Sequence, residues 1–531
     1  MKKLLALMLA LVMLFALVAC NNKPVEETDE PTTPVVEESP TPDVVEPDED
    51  PVTVSMWFCG SNNVLDDTAV VEKVNEYLLE KINVQIEPIW GSWADFEETK
   101  VVTAINGGDD VDIYFTCSWT QNDYIGYTQK GAYLRLDDPD NDLLAQYAPE
   151  LMSLLPEVLT EVGAKIQGPD GYGVYAVPGY KDIATQNCWD VNVDMLEKYG
   201  FTLEDVENAD YYSFGDMFKA VKEGEGADFY PLLIEGGVLE RMVTNSIIVT
   251  GDESHAMLSY YLNPDDVTQP GSLGLKIENK FATEEYKKFV EQTREYYQAG
   301  YIDPQMTNSE TASDARVAHQ NAATYLIGTQ SYALGYEFTA SDERGIHVEM
   351  VPCTDAYVDT TSAQGAMFAI SSTSQNPEAA MKLLNIINTD PVVMNMLNYG
   401  LEGVHYNLED GLVKFTDERD NYNPWRNGMG NITLLTPTDK EGADFWDEFK
   451  AYYGGAKEIP LLGFFFDNKA VETEVAACVN VVSSYSLSLS SGAVDPATVL
   501  PEFLEKLEEA GIQKILDECN AQLEAFLAAK G

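Results

Sequence analysis

The chain of 531 residues is 45% hydrophobic and 11% aromatic, and its formal net charge at pH 7 is -57. Nucleic acid and anionic lipid would repel so negative a protein, which argues against both as binding partners. The length exceeds what a single hydrophobic core serves and predicts two lobes.

The first twenty residues have the pattern of an export signal. Lys2 and Lys3 precede an apolar run at 4–19, shorter than the roughly 20 residues that span a bilayer as a helix. The run ends in Leu-Val-Ala-Cys, which matches the bacterial lipobox, in which the cysteine is lipidated and becomes the new N-terminus. We therefore predict a lipoprotein signal peptide at 1–19 and lipidation of Cys20. The alternative is an ordinary signal peptide with an incidental cysteine.

The segment at 20–51 is predicted to be a disordered tether. It consists largely of Pro, Glu, Asp, Thr and Val and contains no aromatic residue, so it has little apolar surface to bury. Its prolines and mutually repelling carboxylates favour an extended chain. Two or more acyl chains give stable membrane attachment. We expect a globular body held at the extracellular face of the cell membrane by a lipid anchor.

Strands and helices alternate after the tether. Hydrophobic periodicity predicts strands at 52–58, 83–89 and 111–116 and helices at 68–81 and 93–105. This order predicts a parallel sheet of βαβ units, in which ligands bind beyond the carboxyl ends of the strands. Trp57, Trp93 and Trp119 fall at or just past these strand ends. They are candidates for a binding cleft, with burial in the core as the alternative.

The later elements are predicted from turn residues and helix caps. A Pro-Asp-Gly turn divides a β-hairpin at 165–178. Helices are expected at 195–199, 212–223, 283–299, 376–388 and 390–398 and through the last 40 residues, and strands at 322–327 and 347–352.

Motifs for catalysis and metal binding are missing from the sequence. There is no HExxH, GxSxG or Walker A loop, and the four histidines are scattered. Asp138, Asp140 and Asp142 resemble the start of an EF-hand loop, but Leu143 and Pro149 stand where Gly and Glu are required. We predict no catalytic residue, metal or cofactor, and we read 137–142 as a solvated turn before a helix.

Several segments taken together resemble a known family. The segments are GYGVYAVP at 171–178, WDVNVDMLEKYG at 189–200, 286–304, 376–381, 398–406, 424–431, GFFFD at 463–467 and QLEAF at 522–526. Together with the lipobox and the acidic tether, they resemble extracellular solute-binding lipoproteins of carbohydrate-type ABC importers, and among them the LplA-like group of Gram-positive bacteria. The last four segments resemble this group's own C-terminal extension.

The resemblance implies a fold and a mechanism. The fold would be a two-lobed α/β, periplasmic-binding-protein-like fold of type II, with a cleft between lobes joined by crossover strands. Lobe one would comprise 52–178 plus 346–398, and lobe two 179–345 plus 399–531. The lobes would close over a ligand like a hinge and deliver it to ABC permease subunits driven by a separate ATPase. We expect a monomeric binding subunit without a cofactor.

The predicted ligand site combines aromatic rings with charged groups. Rings would stack on the apolar faces of a sugar, which we expect to be an oligosaccharide, while Arg426 and Asp467 would orient its polar groups. The alternative for those two residues is a surface ion pair. The predicted ligand-binding residues are Trp57, Trp93, Trp119, Tyr180, Trp425, Arg426 and Asp467.

Three alternatives stay open at this stage. The protein could be a surface glycosidase, a binding protein for peptides or another non-sugar solute, or an adhesive surface lipoprotein. The sequence also leaves open whether the six cysteines of the body are paired, namely Cys59, Cys117, Cys188, Cys353, Cys478 and Cys519.

Overall fold

A computed structural model describes residues 50–60, 64–97, 100–249, 257–263, 265–309 and 311–530. The predicted signal peptide, Cys20 and all but the last two residues of the predicted tether lie outside these ranges. Within the described ranges, no helix combines the length and the apolar character needed to cross a bilayer.

The first lobe is built around a five-stranded sheet. Its strand order is Val84–Trp90, Val52–Phe58, Ile113–Thr116, Met367–Ile370 and Val177–Pro178. The first three strands pair in parallel, as the alternation of strands and helices predicts, and Met367–Ile370 is antiparallel to both of its neighbours. The helices Asp67–Ile82 and Pro377–Thr389 pack beside this sheet and bury its apolar side chains, and Pro391–Tyr399 packs on these two helices.

The second lobe is built around a four-stranded sheet. Its strand order is Leu232–Leu233, Ile327–Ser331, Asn187–Asn192 and Val348–Pro352. The predicted boundary at 346 would assign Val348–Pro352 to lobe one, whereas its antiparallel pairing with Asn187–Asn192 places it in the second sheet.

The segment after Tyr399 also returns to the first lobe before it reaches the second. Tyr422 forms an isolated bridge with Val64, and its hydroxyl donates a hydrogen bond to the carbonyl oxygen of Leu397 at 2.9 Å. Further along, Tyr453 Oη accepts a hydrogen bond from the backbone N–H of Leu334 in the second lobe at 3.2 Å. The chain therefore crosses between the lobes again within 399–453.

Two earlier crossovers connect the sheets and pair with each other. One runs from Val177–Pro178 to Asn187–Asn192 and the other from Val348–Pro352 to Met367–Ile370. Thr185 and Tyr357 exchange two backbone hydrogen bonds, N to O, of 2.7 and 3.0 Å. A short two-stranded contact therefore joins the crossovers between the lobes.

The other elements surround these sheets. The remaining α-helices are Trp93–Glu97, Lys100–Gly107, Tyr124–Gln129, Leu143–Tyr147, Val193–Lys198, Leu203–Glu207, Gly215–Glu225, Gly236–Thr244, Glu284–Gln298, Ala312–Asn321, Tyr336–Arg344, Thr360–Ala363, Phe445–Gly454, Glu472–Ser490, Pro496–Ala510 and Ile512–Lys530. The remaining strands are Asp137–Asp138, Asn141–Asp142, Lys165–Gly168, Gly171–Val174, Ser246–Ile248, Leu258–Asn263, Asp266–Pro270, Glu278–Asn279, Tyr357–Val358, Tyr406–Glu409, Leu412–Phe415 and Lys457–Glu458.

The C-terminal helices belong to the second lobe. Helices Glu472–Ser490 and Pro496–Ala510 pack on each other and on Glu284–Gln298. Thr283 caps the last of these, because its hydroxyl accepts a hydrogen bond from the N–H of Tyr286 at 3.2 Å. The later part of the predicted C-terminal extension, at 472–510, thus contributes to the core of this lobe.

The strand predicted at 322–327 is wrong for most of its length. Helix Ala312–Asn321 ends there, and Ala323 has a left-handed φ of 53°. The strand begins at Ile327 and runs to Ser331. The residues that the apolar pattern assigned to the start of the strand instead form the turn that ends the helix.

Candidate functional site

Three tryptophans from separate parts of the chain meet in the first lobe. Trp93 begins helix Trp93–Glu97, Trp119 follows strand Ile113–Thr116, and Trp425 precedes the short turn Arg426–Gly428. Their ring centroids are 4.8 Å (93 to 425), 5.9 Å (119 to 425) and 6.0 Å (93 to 119) apart. We call Trp93, Trp119 and Trp425 the tryptophan cluster.

Trp119 is the exposed member of this cluster, with 41% of its surface accessible. Its indole Nε1 donates a hydrogen bond to the carbonyl oxygen of Gly365 at 3.0 Å, and Ser118 Oγ donates to the carbonyl oxygen of Thr361 at 2.9 Å. Phe115 supports the ring at 6.1 Å between centroids. The crossover thus fixes the orientation of a ring that stays open to solvent.

A charged pair lies beside Trp119. Lys181 Nζ is 3.0 Å from Asp182 Oδ1, and Asn427 Nδ2 donates to the same oxygen at 3.2 Å. A side chain at Gly365 would come within 3.0 Å of Lys181 Cε, so the lysine stem lies against the residue that holds the indole of Trp119. The sequence carries no motif that would have singled out Lys181 or Asp182.

Trp57 and Tyr180 are placed in the core and not in the tryptophan cluster. Trp57 is 5% exposed and packs edge-on against Phe96 at 5.8 Å, with Lys100 Nζ 5.4 Å from the centre of its ring. Tyr180 is 8% exposed and packs against Phe449, and burial raises the pKa of its hydroxyl. Neither presents a ring face to solvent as Trp119 does.

Arg426 and Asp467 have different partners. Arg426 Nη1 donates to Glu441 Oε1 at 2.6 Å, and its guanidinium lies 5.6 Å from the Trp446 ring centre. Burial alone would lower the pKa of Arg426, but the charge of Glu441 and the hydroxyl of Tyr399 together raise it. The exposed Asp467 accepts a hydrogen bond from the N–H of Lys469 at 3.1 Å. Arg426 and Asp467 therefore do not form an ion pair with each other, which was the predicted alternative.

The cysteines of the described ranges are mostly unbridged. Cys117, Cys188, Cys353, Cys478 and Cys519 are free thiols, and burial raises the pKa of Cys117 to about 12. No group of three His, Cys, Asp or Glu in the described residues has the geometry of a metal site.

A separate cavity of about 660 Å³ lies in the second lobe. None of the predicted ligand-binding residues lines it, whereas Trp189 of the strand Asn187–Asn192 does. No sequence pattern pointed to this cavity, because its walls come from five distant segments of the chain.

Comparison with known proteins identifies the relatives of this chain. The profile of the family described as bacterial extracellular solute-binding protein matches residues 71–402, and that of a domain of unknown function (DUF3502) matches 460–528. A protein of Streptococcus pneumoniae serotype 4 named "Carbohydrate ABC transporter substrate-binding protein" is 25% identical over 466 residues, which are 87% of this chain and 88% of the relative.

Solved structures agree with this result. The N-glycan transport solute binding protein NgtS of Streptococcus pneumoniae is 25% identical, with a TM-score of 0.73 over 91% of this chain and 100% of that one. The alginate-binding protein AlgQ2 is 16% identical, with a TM-score of 0.62 over 90% of this chain and 98% of that one. The likeness confirms the predicted two-lobed α/β fold of type II.

Proposed function

This chain belongs to the family of bacterial extracellular solute-binding proteins, and we propose that it is the substrate-binding subunit of an ABC importer for carbohydrate. In this proposal it captures an oligosaccharide between its lobes and passes it to membrane permease subunits. It binds its ligand and does not transform it, and its relatives are likewise named as binding proteins.

The observation that carries the proposal is the exposed ring of Trp119 beside the Lys181–Asp182 pair. Sugars present apolar C–H faces that stack on aromatic rings, and their hydroxyls form hydrogen bonds with charged and amide groups. Trp93 and Trp425 extend the aromatic surface, since all three rings lie within 6.0 Å of one another. This combination suits a sugar better than a wholly apolar ligand.

The named ligands of relatives support an oligosaccharide. NgtS has been crystallised in complex with Man1GlcNAc and with Man5GlcNAc, in structures 24% identical to this chain. We propose a ligand of the same chemical class, longer than a single sugar unit.

The remaining predicted residues take supporting roles in this proposal. Trp57 and Tyr180 back the site from the core, and Arg426, next to Trp425 in sequence, presents the 27% of its side chain that stays exposed. We propose that Asp467 contacts the ligand when the lobes close. We also propose that Cys20 is lipidated, that the anchor holds a monomer at the extracellular face of the cell membrane, and that the lobes close by hinge motion at the Thr185–Tyr357 contact.

Calorimetric titration of the purified protein tests this proposal. The panel comprises Man1GlcNAc, Man5GlcNAc, other oligosaccharides, peptides and polyamines. In a parallel thermal unfolding measurement, a ligand present at a hundred times its Kd should stabilise the fold by about 2.7 kcal/mol and raise the Tm. Trp119→Ala should weaken sugar binding roughly tenfold to a hundredfold, the equivalent of about 1.4–2.7 kcal/mol.

Tyr172→Ala is the matched control, because this ring is 59% exposed on the hairpin Lys165–Gly168 and Gly171–Val174, outside the tryptophan cluster. The Tyr172→Ala protein should bind sugar with the same affinity as the wild type. Binding of peptides but of no sugar would overturn the carbohydrate assignment, and release of shortened sugars during titration would indicate a glycosidase instead.

A further inference from the structure

The cavity of about 660 Å³ in the second lobe is enclosed by several elements that are distant in sequence. It lies between residues 206–212, the end of helix Gly236–Thr244 and the adjoining ends of strands Asn187–Asn192 and Val348–Pro352. Small-molecule sites typically occupy about 300–1,000 Å³. The cavity is therefore large enough for a ligand, and it shares no lining residue with the tryptophan cluster.

Aromatic side chains form part of its wall. Trp189 and Tyr211 are stacked, with centroids 6.5 Å apart and planes at 13°, and both are less than 5% exposed. Tyr212 also lines the cavity, and Lys288 Nζ lies 3.6 Å from the centre of its ring. The stacked and buried rings thus give the cavity an aromatic wall.

Two polar side chains in this wall could bind a ligand. Asn187 is 2% exposed, and its buried Oδ1 accepts no hydrogen bond from the described residues. A buried polar atom without a partner costs about 1–3 kcal/mol. Arg241 is half-buried in the same wall; burial raises the pKa of Asp359, and the charge of Arg241 opposes that rise. Both groups would bind a ligand with hydroxyl groups, which can donate to Asn187 and accept from Arg241.

Charge restricts the class of ligand. The acidic lining residues Glu207, Asp210 and Asp355 are exposed, and the protein as a whole carries a formal charge of -57, so an anion would be repelled on approach. Arg241 disfavours a cation inside. A neutral ligand that is rich in hydroxyls fits both conditions.

We propose that this cavity is a second binding site, separate from the tryptophan cluster, for a neutral saccharide of one or two units. Tyr357, which pairs with Thr185 to join the two crossovers, lines it, and so does Gln186 next to Thr185. The site thus adjoins the hinge from the second lobe. This inference does not depend on which ligand the tryptophan cluster takes.

Binding by the purified protein in a Trp119→Ala background tests the proposal. The probes are mannose, N-acetylglucosamine, glucose and sucrose, with gluconate and glucosamine as charged comparisons, and the readout is saturation-transfer NMR with a titration for Kd. At least one neutral probe should bind the Trp119→Ala protein. The charged analogues should bind at least tenfold more weakly.

Two further variants in the same background locate the binding. Ala209→Trp fills the cavity from a half-buried lining position, and Arg241→Gln removes the guanidinium. Each variant should weaken the binding of the neutral probe at least tenfold. Lys219→Gln is the control, because it removes one positive charge from an exposed position on helix Gly215–Glu225.

The outcomes separate this inference from the proposed function. If Trp119→Ala binds none of the neutral probes, or if neither cavity variant weakens binding, the second site is overturned while sugar binding at the tryptophan cluster stands. Preference for gluconate would overturn the assignment of a neutral ligand. Unchanged Tm values of both cavity variants would show that the loss is not due to unfolding.

Discussion

Two arginine–carboxylate pairs in this molecule differ in how completely the protein surrounds them. In the second lobe Arg344 Nη1 lies 2.8 Å from both oxygens of Asp190, and the side chains are 4% and 0% exposed. Beside the tryptophan cluster Arg426 Nη1 lies 2.6 Å from Glu441 Oε1, and the side chains are 27% and 5% exposed. The chemistry of the pairs is the same, but their surroundings are not.

The surroundings decide what each pair can do. Asp190 also accepts hydrogen bonds from Tyr325 Oη at 2.8 Å and Gln320 Nε2 at 3.2 Å, so its carboxylate is fully used within the protein. Arg426 keeps an exposed edge that a ligand could contact. A buried pair with all its hydrogen bonds made is a structural element, whereas a partly exposed pair next to an aromatic surface is a candidate for recognition.

Arg344→Met should have the largest effect. It leaves the carboxylate of Asp190 buried without its cation, and breaking such a pair typically costs about 3–5 kcal/mol. Urea unfolding should show this loss in the free energy of unfolding. Lys73→Met is the control, because Lys73 pairs with Glu76 at a site where the side chains are 57% and 66% exposed. Equal losses in the two variants would mean that the buried pair does not stabilise the second sheet.

Arg426→Met should affect ligand affinity more than stability. Glu441 Oε2 keeps the hydrogen bond from the N–H of Thr438 at 2.9 Å, and the side chain of Arg426 is 27% exposed, so we expect a stability loss of about 1–2 kcal/mol. Sugar affinity should fall about tenfold, the equivalent of about 1.4 kcal/mol. Titration measures the affinity, and a normal Kd would remove Arg426 from the proposed site.

Asp359→Asn should have the smallest effect, and one that depends on pH. Burial raises the pKa of Asp359 from its ordinary value of 3.8, although the N–H of Ser362 donates to its carboxylate. The folded state therefore retains a proton that the unfolded chain releases, and stability falls as pH rises from that ordinary value through the raised pKa. This slope cannot exceed about 1.4 kcal/mol per pH unit for one group.

The amide of Asp359→Asn cannot ionise, so this contribution to the slope should disappear when urea unfolding is measured from pH 4 to 7. Asp205→Asn is the opposite control. Hydrogen bonds from the backbone and side chain of Thr202 lower the pKa of Asp205, so its contribution is lost as pH falls. Identical slopes in wild type and Asp359→Asn would contradict the raised pKa.

Local patterns in the sequence predicted much of the first lobe. The strand at 52–58 has the bounds that the sequence indicates, and Asp142 caps the short helix after the acidic turn by accepting from the N–H of Ala145 at 2.8 Å. Such features depend on neighbouring residues alone. The pairing of Val348–Pro352 with the second sheet depends on residues far apart in sequence, which is why the predicted lobe boundary misplaced it.

The tryptophan cluster could be predicted only in part. Trp57 and Trp119 both occur at ends of strands, but Phe96 covers Trp57, because a parallel sheet is buried on both faces. The indole of Trp119 is held by the carbonyl oxygen of Gly365, almost 250 residues later in the chain. Lys181, Asp182 and the residues of the cavity belong to no motif, and only the folded chain brings them together.

The position of Met367–Ile370 between Ile113–Thr116 and Val177–Pro178 also constrains how the chain can fold. The first sheet stays incomplete until residue 370 has been made, and at roughly 5–20 residues per second the about 250 residues after Thr116 take some 10–50 s to synthesise. During that time the fully buried strand Ile113–Thr116 exposes an unpaired apolar edge, the kind of surface that aggregates or recruits chaperones. A truncation before residue 367 should therefore yield not a smaller binding protein but an insoluble fragment.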